Sequence, residues 1–432
     1  MKKILKKIIV FILQIEARLV LKKYKPKIVA VTGSVGKTTA KDAIYTVLSS
    51  AFFVRKSEKS FNSEIGVPLT ILGCGNAWNN PFIWLKNIFS GLAVILLKNH
   101  YPKWIVLELG IDRPGDIENI AKWLRPDIAV LTRFAKVPVH VEFFKSPQDL
   151  TDEKKKLALY LKKGGRLIIN NDDADMQFTK TPEGVQIISY GFNEGSGVIG
   201  SNEQIIYENS KPAGVSFKVD YAGKSMPIAL RGVLGRQHIY PVLAALAVGT
   251  SQNLNIISMA QFLAEEGGTQ PGRMKILDGI KNTVLIDDSY NASPLATEKA
   301  LAVLGEIERQ IEGRKIAVLG DMMELGKYST DEHKKIGRRV AREADVLVTV
   351  GLRAQHIAEG ALLGGLSEKN ILQFEESKKA GLFLQNFIET GDIILIKGSQ
   401  AVRMERVTEE IMARPEKKAE LLARQDLEWL KR

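Results

Sequence analysis

The sequence predicts an α/β protein built on two successive open sheets, and three observations carry that prediction. A glycine turn separates an apolar run from a helical pattern in "KIVAVTGSVGKTTAKDAIYTVL". Short apolar runs of the buried, parallel-sheet kind then recur with helical stretches between them: "KWIVLELG", "PDIAVLT" and "GGRLIINNDD". After the turn-rich "EEGGTQPGR" the alternation starts again with "NTVLIDDSYNASP", "RKIAVLGDMMELG", "ADVLVTVG" and "GDIILIKGS". The first unit is a phosphate-loop domain with a parallel sheet. A small antiparallel sheet is added where residues 185–234 change to short alternating segments with Gly and Asn turns. The second unit is a Rossmann-like α/β domain. The expected divisions are an arm at 1–27, a central domain at 28–268 and a C-terminal domain at 269–432.

Composition sets the class. Of 432 residues, 45% are hydrophobic and 25% charged, as in ordinary globular proteins. The single cysteine, Cys74, excludes a disulfide framework and a four-cysteine zinc site, and fits a reducing, cytoplasmic compartment. The net charge of +12 is unevenly placed: residues 1–27 hold nine Lys/Arg and one Glu. The rest is close to balanced, which argues against nucleic acid as a partner.

The arm, "MKKILKKIIVFILQIEARLVLKKYKPK", repeats apolar residues at helical spacing (Ile4, Ile8, Phe11, Ile12, Ile15, Leu19) among its lysines. Gln14, Glu16 and Arg18 interrupt it, so it reads as a basic amphipathic helix lying on an anionic membrane surface, not as a span. Peripheral attachment at the inner face of the plasma membrane is the expectation. "PFIWLKNIFSGLAVILLK", Pro81 to Lys98, is a second candidate, either a buried helix or a further membrane-facing patch. The charged tail from Arg414 reads as a solvated helix.

The glycine turn carries the chemistry. Gly33 and Gly36 let the backbone of Gly33, Ser34, Val35 and Gly36 curl around an anion, and the following helix adds the positive end of its dipole. Lys37 is placed to reach the β- and γ-phosphates of a nucleoside triphosphate, and the hydroxyl of Thr38, with Thr39 beside it, to meet Mg²⁺. The usual first glycine of such a loop is replaced by Val31. Strand ends supply further candidates: Glu108 for the metal, Asp287 and Asp288 after "VLI", and Lys397 after "IILI". Histidines are few, and no pair has metal-ligand spacing on one helix. His140, in "VPVHVEFF", stands between a strand and a helical run, where an imidazole can face the nucleotide or serve as a plain structural histidine.

In sequence order, "GSVGKTTAK", "FNSEIGVPLTIL", "LELGIDRPGDI", "HVEFFKS", "LIDDSYNASP", "AVLGDMMELG" and "IKGSQAVRMERV" resemble the motifs of the Mur ligase family, over residues 28–412. The resemblance implies an ATP-dependent amide ligase of peptidoglycan-precursor synthesis. A substrate carboxylate would take the γ-phosphate, and an amine would then displace phosphate from the acyl phosphate. Gly36, Lys37 and Thr38 are then implied to hold ATP, with Arg273 and Asp288 reaching the nucleotide from the C-terminal side. Thr38 and Glu108 are implied for a first Mg²⁺, and His140 and a carbamylated Lys154 for a second. Lys155 and Lys156 leave the register of the modified lysine open. Asn62, Ser63, Asn291 and Lys397 fall in motifs that face substrate. The implied partners are a muropeptide and D-alanyl-D-alanine, and the chain is expected to act as a monomer.

Three departures stand out. Only the basic arm precedes the phosphate loop, where the family has a domain that grips UDP. "GRQHIYP" carries His238 and Pro241 where asparagines are usual, and "TRFAKVPVH" is long. Alternative readings are a related ligase acting on a lipid-linked or other carboxylate, or, from another class, a membrane-docked nucleotide switch.

Overall fold

The computed structural model describes residues 2–58, 61–78, 80–173, 179–266, 270–309, 313–426 and 429. The first sheet has nine strands: β1 (Lys27–Thr32), β2 (Val54–Lys56), β3 (Trp104–Glu108), β4 (Ile128–Leu131), β5 (Arg166–Asn170), β6 (Gln186–Gly191), β7 (Val198–Glu208), β8 (Lys211–Tyr221) and β9 (Lys224–Arg231). Their order is β2-β3-β1-β4-β5-β6-β7-β8-β9. The strands from β2 through β6 run parallel, and β7 to β9 are antiparallel. The antiparallel part is not a separate sheet. β6 pairs with β7 at Tyr190–Val198 and Gly191–Ile199, so the parallel sheet runs on into it.

β1 is buried at every residue after Lys27, as a central strand covered on both faces must be. On one face lie α2 (Lys37–Ser49) and α7 (Arg236–Thr250), whose Ile44, Val47, Leu243 and Leu246 pack on Val29 and Val31. On the other lie α1 (Lys2–Tyr24), α3 (Gly66–Leu72), α5 (Asp116–Leu124) and α6 (Pro147–Leu159), around Ile28, Ala30 and Ile105. α4 (Pro81–Leu96) packs against α1 and α3 from outside.

The second sheet has the order β10-β11-β15-β12-β13-β14. Its strands are β10 (Lys275–Asp278), β11 (Val284–Asp288), β12 (Lys315–Gly320), β13 (Val346–Val350), β14 (Ile371–Phe374) and β15 (Ile393–Lys397). The four expected apolar runs are β11, β12, β13 and β15. The short edge strands β10 and β14 are additions. The expected boundary at 268/269 lies at residues 267–269, outside the described residues.

Two expectations about the ends are corrected. The arm is not separate from the body: Val10, Leu13, Ala17 and Val20 are buried in the first domain's core. Of the stripe read from the sequence, Ile8, Phe11, Ile15 and Leu19 form the opposite, exposed face of the same helix, Ile12 is half-buried, and the side chain of Ile4 lies outside the described ones. The tail is solvated over residues 413–420, including most of the short helix Lys418–Leu421, but not beyond them. Arg424 is buried, donates to Ser289 O at 3.2 Å and Glu405 Oε2 at 3.0 Å, and also bonds Tyr290 O. A guanidinium able to cap carbonyls and pair with a buried carboxylate pulls this charged segment inward.

Candidate functional site

Strand ends of both sheets border one cleft of about 1050 Å³. Gly36 precedes α2 with φ 84, a left-handed value that suits glycine. At Gly33 a side chain has no room, since a Cβ would lie 2.0 Å from Thr132 Oγ1. Ser34 N and Val35 N donate to Arg133 O at 2.8 and 3.2 Å, which fixes the loop against the segment after β4. Lys37 Nζ donates to Gly33 O at 3.0 Å. Burial holds its ammonium below the ordinary range, opposed by the charge of Glu108.

α6 brings Lys154 to the same loop, where its Nζ donates to Ser34 Oγ at 3.1 Å. The lysine run resolves by helix geometry. Lys154 is buried, on the side that holds Leu150, Leu157 and Ala158. Lys156 turns outward to Glu153 and Glu118, at 2.8 and 3.2 Å. Spacing to Leu150 and Leu157 was the signal in the sequence that could have chosen Lys154. Burial, then the positive charge of Lys37, lowers the Lys154 amine well below its usual range.

Glu108 ends β3 opposite Val31 of β1 and is buried. Its Oε1 accepts from Asn62 Nδ2 at 3.4 Å, and its Oε2 has no hydrogen-bond partner among the described residues. A buried carboxylate oxygen left bare in a cleft that Thr38 also lines suits a hard cation such as Mg²⁺. His140 has φ 71 and lies in contact with the second domain: its Nδ1 is 2.9 Å from Glu324 Oε2, and its Nε2 is 3.8 Å from Asp112 Oδ1. The contact with His140 holds the Glu324 carboxyl below its ordinary range. Among the described residues no group of three or more His, Cys, Asp or Glu is arranged to hold a metal.

The second domain supplies the other wall. Arg273 Nη2 donates to Thr38 Oγ1 at 3.2 Å, and its guanidinium stacks 4.2 Å from the Tyr290 ring centre. Of the two aspartates ending β11, only Asp288 lines the cleft. Asp287 is fully buried, accepts from Thr408 Oγ1 at 3.2 Å, and burial pushes its carboxyl up to about 6. Lys397 lines the cleft, but its Nζ is committed to Asp288 Oδ2 at 2.6 Å and Asn291 O at 2.9 Å. The Asn291 side chain accepts from Ala292 N. Ser63 does not line the cleft: its carbonyl accepts from Val67 N and its hydroxyl lies 3.4 Å from Gly66 N, which makes it the entry turn of α3.

Several cleft residues were missed in the sequence. Asp172, just past the end of β5, accepts from Tyr240 OH at 2.7 Å and from Phe192 N at 2.9 Å. Arg133 stacks on Tyr240 and Arg236 on Phe192, giving a flat cationic and aromatic wall. The strand-end rule could have found Asp172; the ring contacts have no local signal. His238, noted as a departure, is buried and lies 3.0 Å from Arg273 O. Burial lowers its imidazole to about 4, so it is neutral and donates from Nε2, positioning Arg273.

A phosphate loop on one wall and an arginine, an aspartate and a lysine from a second α/β domain on the other define a two-domain, nucleotide-dependent ligase. The comparisons narrow the class. Residues 90–249 match the Mur ligase middle domain, and residues 272–400 match the Mur ligase, glutamate ligase domain. The chain carries Mur ligase middle and C-terminal domains and is an ATP-dependent ligase that forms a C–N bond. It is 27% identical over 404 residues to UDP-N-acetylmuramoyl-tripeptide--D-alanyl-D-alanine ligase of Bacillus subtilis (strain 168), covering 93% of this chain and 79% of the relative. The crystal structure of MurF ligase from Thermotoga maritima in complex with ADP is similar, with TM-score 0.75 and 26% identity over 95% of this chain and 85% of that one. MurF from Acinetobacter baumannii shares the fold, with TM-score 0.73 at 22% identity over 92% and 79% of the two chains.

Proposed function

We infer that this chain joins D-alanyl-D-alanine to a UDP-N-acetylmuramoyl-tripeptide at the expense of ATP. The observation that carries the reading is the contact of Arg273 with Thr38, which sets a C-terminal cation against the phosphate loop in one cleft. The relatives named above support the substrates, and a central domain over 28–268 and a C-terminal domain over 269–432 would share the work. A cytoplasmic location and a monomer fit the lone cysteine and the nucleotide substrates.

A carboxylate oxygen of the tripeptide attacks the γ-phosphorus as the bond to ADP breaks. The amine of D-alanyl-D-alanine then attacks the acyl carbon, the amide forms, and phosphate leaves. Lys37 and the loop N–H groups would hold the β- and γ-phosphates and meet the charge that develops on the γ-phosphoryl oxygens. Arg273 would add a second cation from the opposite wall. The Asp172, Tyr240 and Phe192 wall is suited to the purine and ribose. Bound Mg²⁺ would neutralise phosphate charge. Thr38 and Glu108 would hold one ion, and His140 with a carbamylated Lys154 another.

The chemistry of Lys154 supports its modification. Burial favours the neutral form of the Lys154 amine, and the free electron pair of that form can attack CO₂, forming the N–C bond as a proton passes to solvent. The product is an anion, and it replaces one of two crowded amines at the loop.

Incubation with ATP, Mg²⁺, UDP-muramoyl-tripeptide and D-alanyl-D-alanine tests the assignment. Phosphate release should require both acceptor and donor and should accompany the pentapeptide mass. Release without either substrate would favour the nucleotide switch, and release with a different carboxylate alone would reassign the substrate.

A further inference from the structure

We propose that α1 and α4 together form a docking face that inserts into the surface of an anionic lipid bilayer. The two helices are packed into one unit. Glu16 of α1 abuts Gly91 of α4, where a Cβ would lie 2.3 Å from the Glu16 Oε2. Lys23 Nζ donates to Val94 O and Ile95 O, at 3.1 and 2.8 Å, so α1 caps the C-terminal end of α4.

With their inner faces engaged, both helices leave a large apolar stripe outside. On α1 it runs through Phe11, Ile15 and Leu19; on α4 through Phe82, Leu85, Phe89, Leu92 and Leu96. These are not grazing exposures: Phe11 is 64% exposed, Phe82 80% and Leu96 77%. Residues three or four apart share a helix face, so each stripe is continuous. Folding leaves this stripe to water, which is costly for so many large side chains. Trp78, half exposed just before α4, is a residue type suited to the headgroup level.

Charge selects the occupant. The two helices contain one acidic residue between them, Glu16, and it is buried at their contact. Among the described side chains, the exposed charges on the two helices are basic, Arg18, Lys22, Lys23 and Lys86, and Lys98 follows just after α4. An apolar stripe rimmed only by cations complements anionic headgroups over acyl chains. A second copy would bring two cationic rims together, which is unfavourable. Among the described residues no helix is long and apolar enough to cross a membrane, so the pair would lie in the interface plane. The proposal is independent of the ligase reading, because vesicle binding and amide synthesis are measured separately.

Flotation of the full chain with phosphatidylcholine vesicles, with and without about 30% phosphatidylglycerol, tests it. Binding should be about tenfold or more stronger with the anionic lipid at about 0.1 M salt, and should weaken without vanishing at about 0.5 M. Phe11→Ser with Phe89→Ser should cut it about tenfold or more while the unfolding midpoint stays near that of the parent chain. Lys86→Glu with Lys98→Glu should abolish most of the preference for anionic lipid. Binding untouched by the Phe substitutions, equal binding to both vesicles, or no vesicle binding with a dimer that those substitutions dissociate would each overturn the proposal.

Discussion

Arg273 Nη2 lies 3.2 Å from Thr38 Oγ1, and this single contact links the C-terminal wall of the cleft to the phosphate loop. The guanidinium is held flat by Tyr290 and turned by Gln270 Oε1 at 3.0 Å. A lysine can keep the charge but not the planar stack or the two directed bonds. Arg273→Lys should therefore lower kcat about 10²-fold, more than it raises KM for ATP. A kcat within twofold of the parent value would remove Arg273 from the reacting phosphates.

Lys37 opens α2, and its ammonium already lies along the loop that would hold the phosphates. Lys37→Ala should abolish turnover, a loss of about 10³-fold or more. ADP production close to normal would mean that this loop is not the phosphate site.

Lys154 is separated from its neighbours by where each points. Lys154→Ala should inactivate the enzyme, with partial recovery in a short-chain carboxylic acid that can fill the space with an anion. Bicarbonate should not rescue this variant, because no amine remains to carry CO₂. Lys156→Ala should stay active, since Lys156 points away from the phosphate loop and pairs with Glu118 and Glu153. An inactive Lys156→Ala together with an active Lys154→Ala would reverse the assignment.

Much of this site could be read from the chain because its elements are local. A strand, a glycine turn and a helix start lie within residues 27–49, and strand-end carboxylates follow from the topology of open sheets. Ser63 was misread because a serine before a helix serves equally as an entry turn. Lys397 looked like a free cation because its partner, Asp288, is 109 positions away and meets it only through the β11–β15 register. The His140–Glu324 pair has the same origin: it crosses domains, so no periodicity marks it. The two-sided character of α1 was legible only by half, since its apolar residues exceed what one stripe needs.

Metal dependence should separate Glu108 and His140 from a structural role. Each would remove one inner ligand, so Glu108→Ala and His140→Ala should raise the Mg²⁺ concentration for half-maximal activity about tenfold or more. Glu324→Gln keeps His140 in place and should leave that concentration near the parent value. Unchanged magnesium titrations in both alanine variants would take them out of the metal site.

Glu16 sets a pH dependence on stability. Neither of its carboxyl oxygens has a hydrogen-bond partner among the described residues, and burial raises its pKa from the ordinary 4.5 to about 7. The folded state therefore resists its ionisation, while the unfolded chain ionises it freely. Below about 4.5 the group is neutral in both states and costs nothing; the cost grows as pH rises from there and is complete above about 7. Glu16→Gln imitates the neutral carboxyl in size and shape. The variant and parent should unfold at nearly the same temperature near the lower of these pH values. At pH about 8 the variant should be the more stable, by roughly 3 °C. Thermal unfolding across this range reads the difference directly. A gap that stays constant with pH would mean that Glu16 finds a counter-charge at the α1–α4 contact, and a gap of the opposite sign would mean that the ionised form is the one the fold prefers.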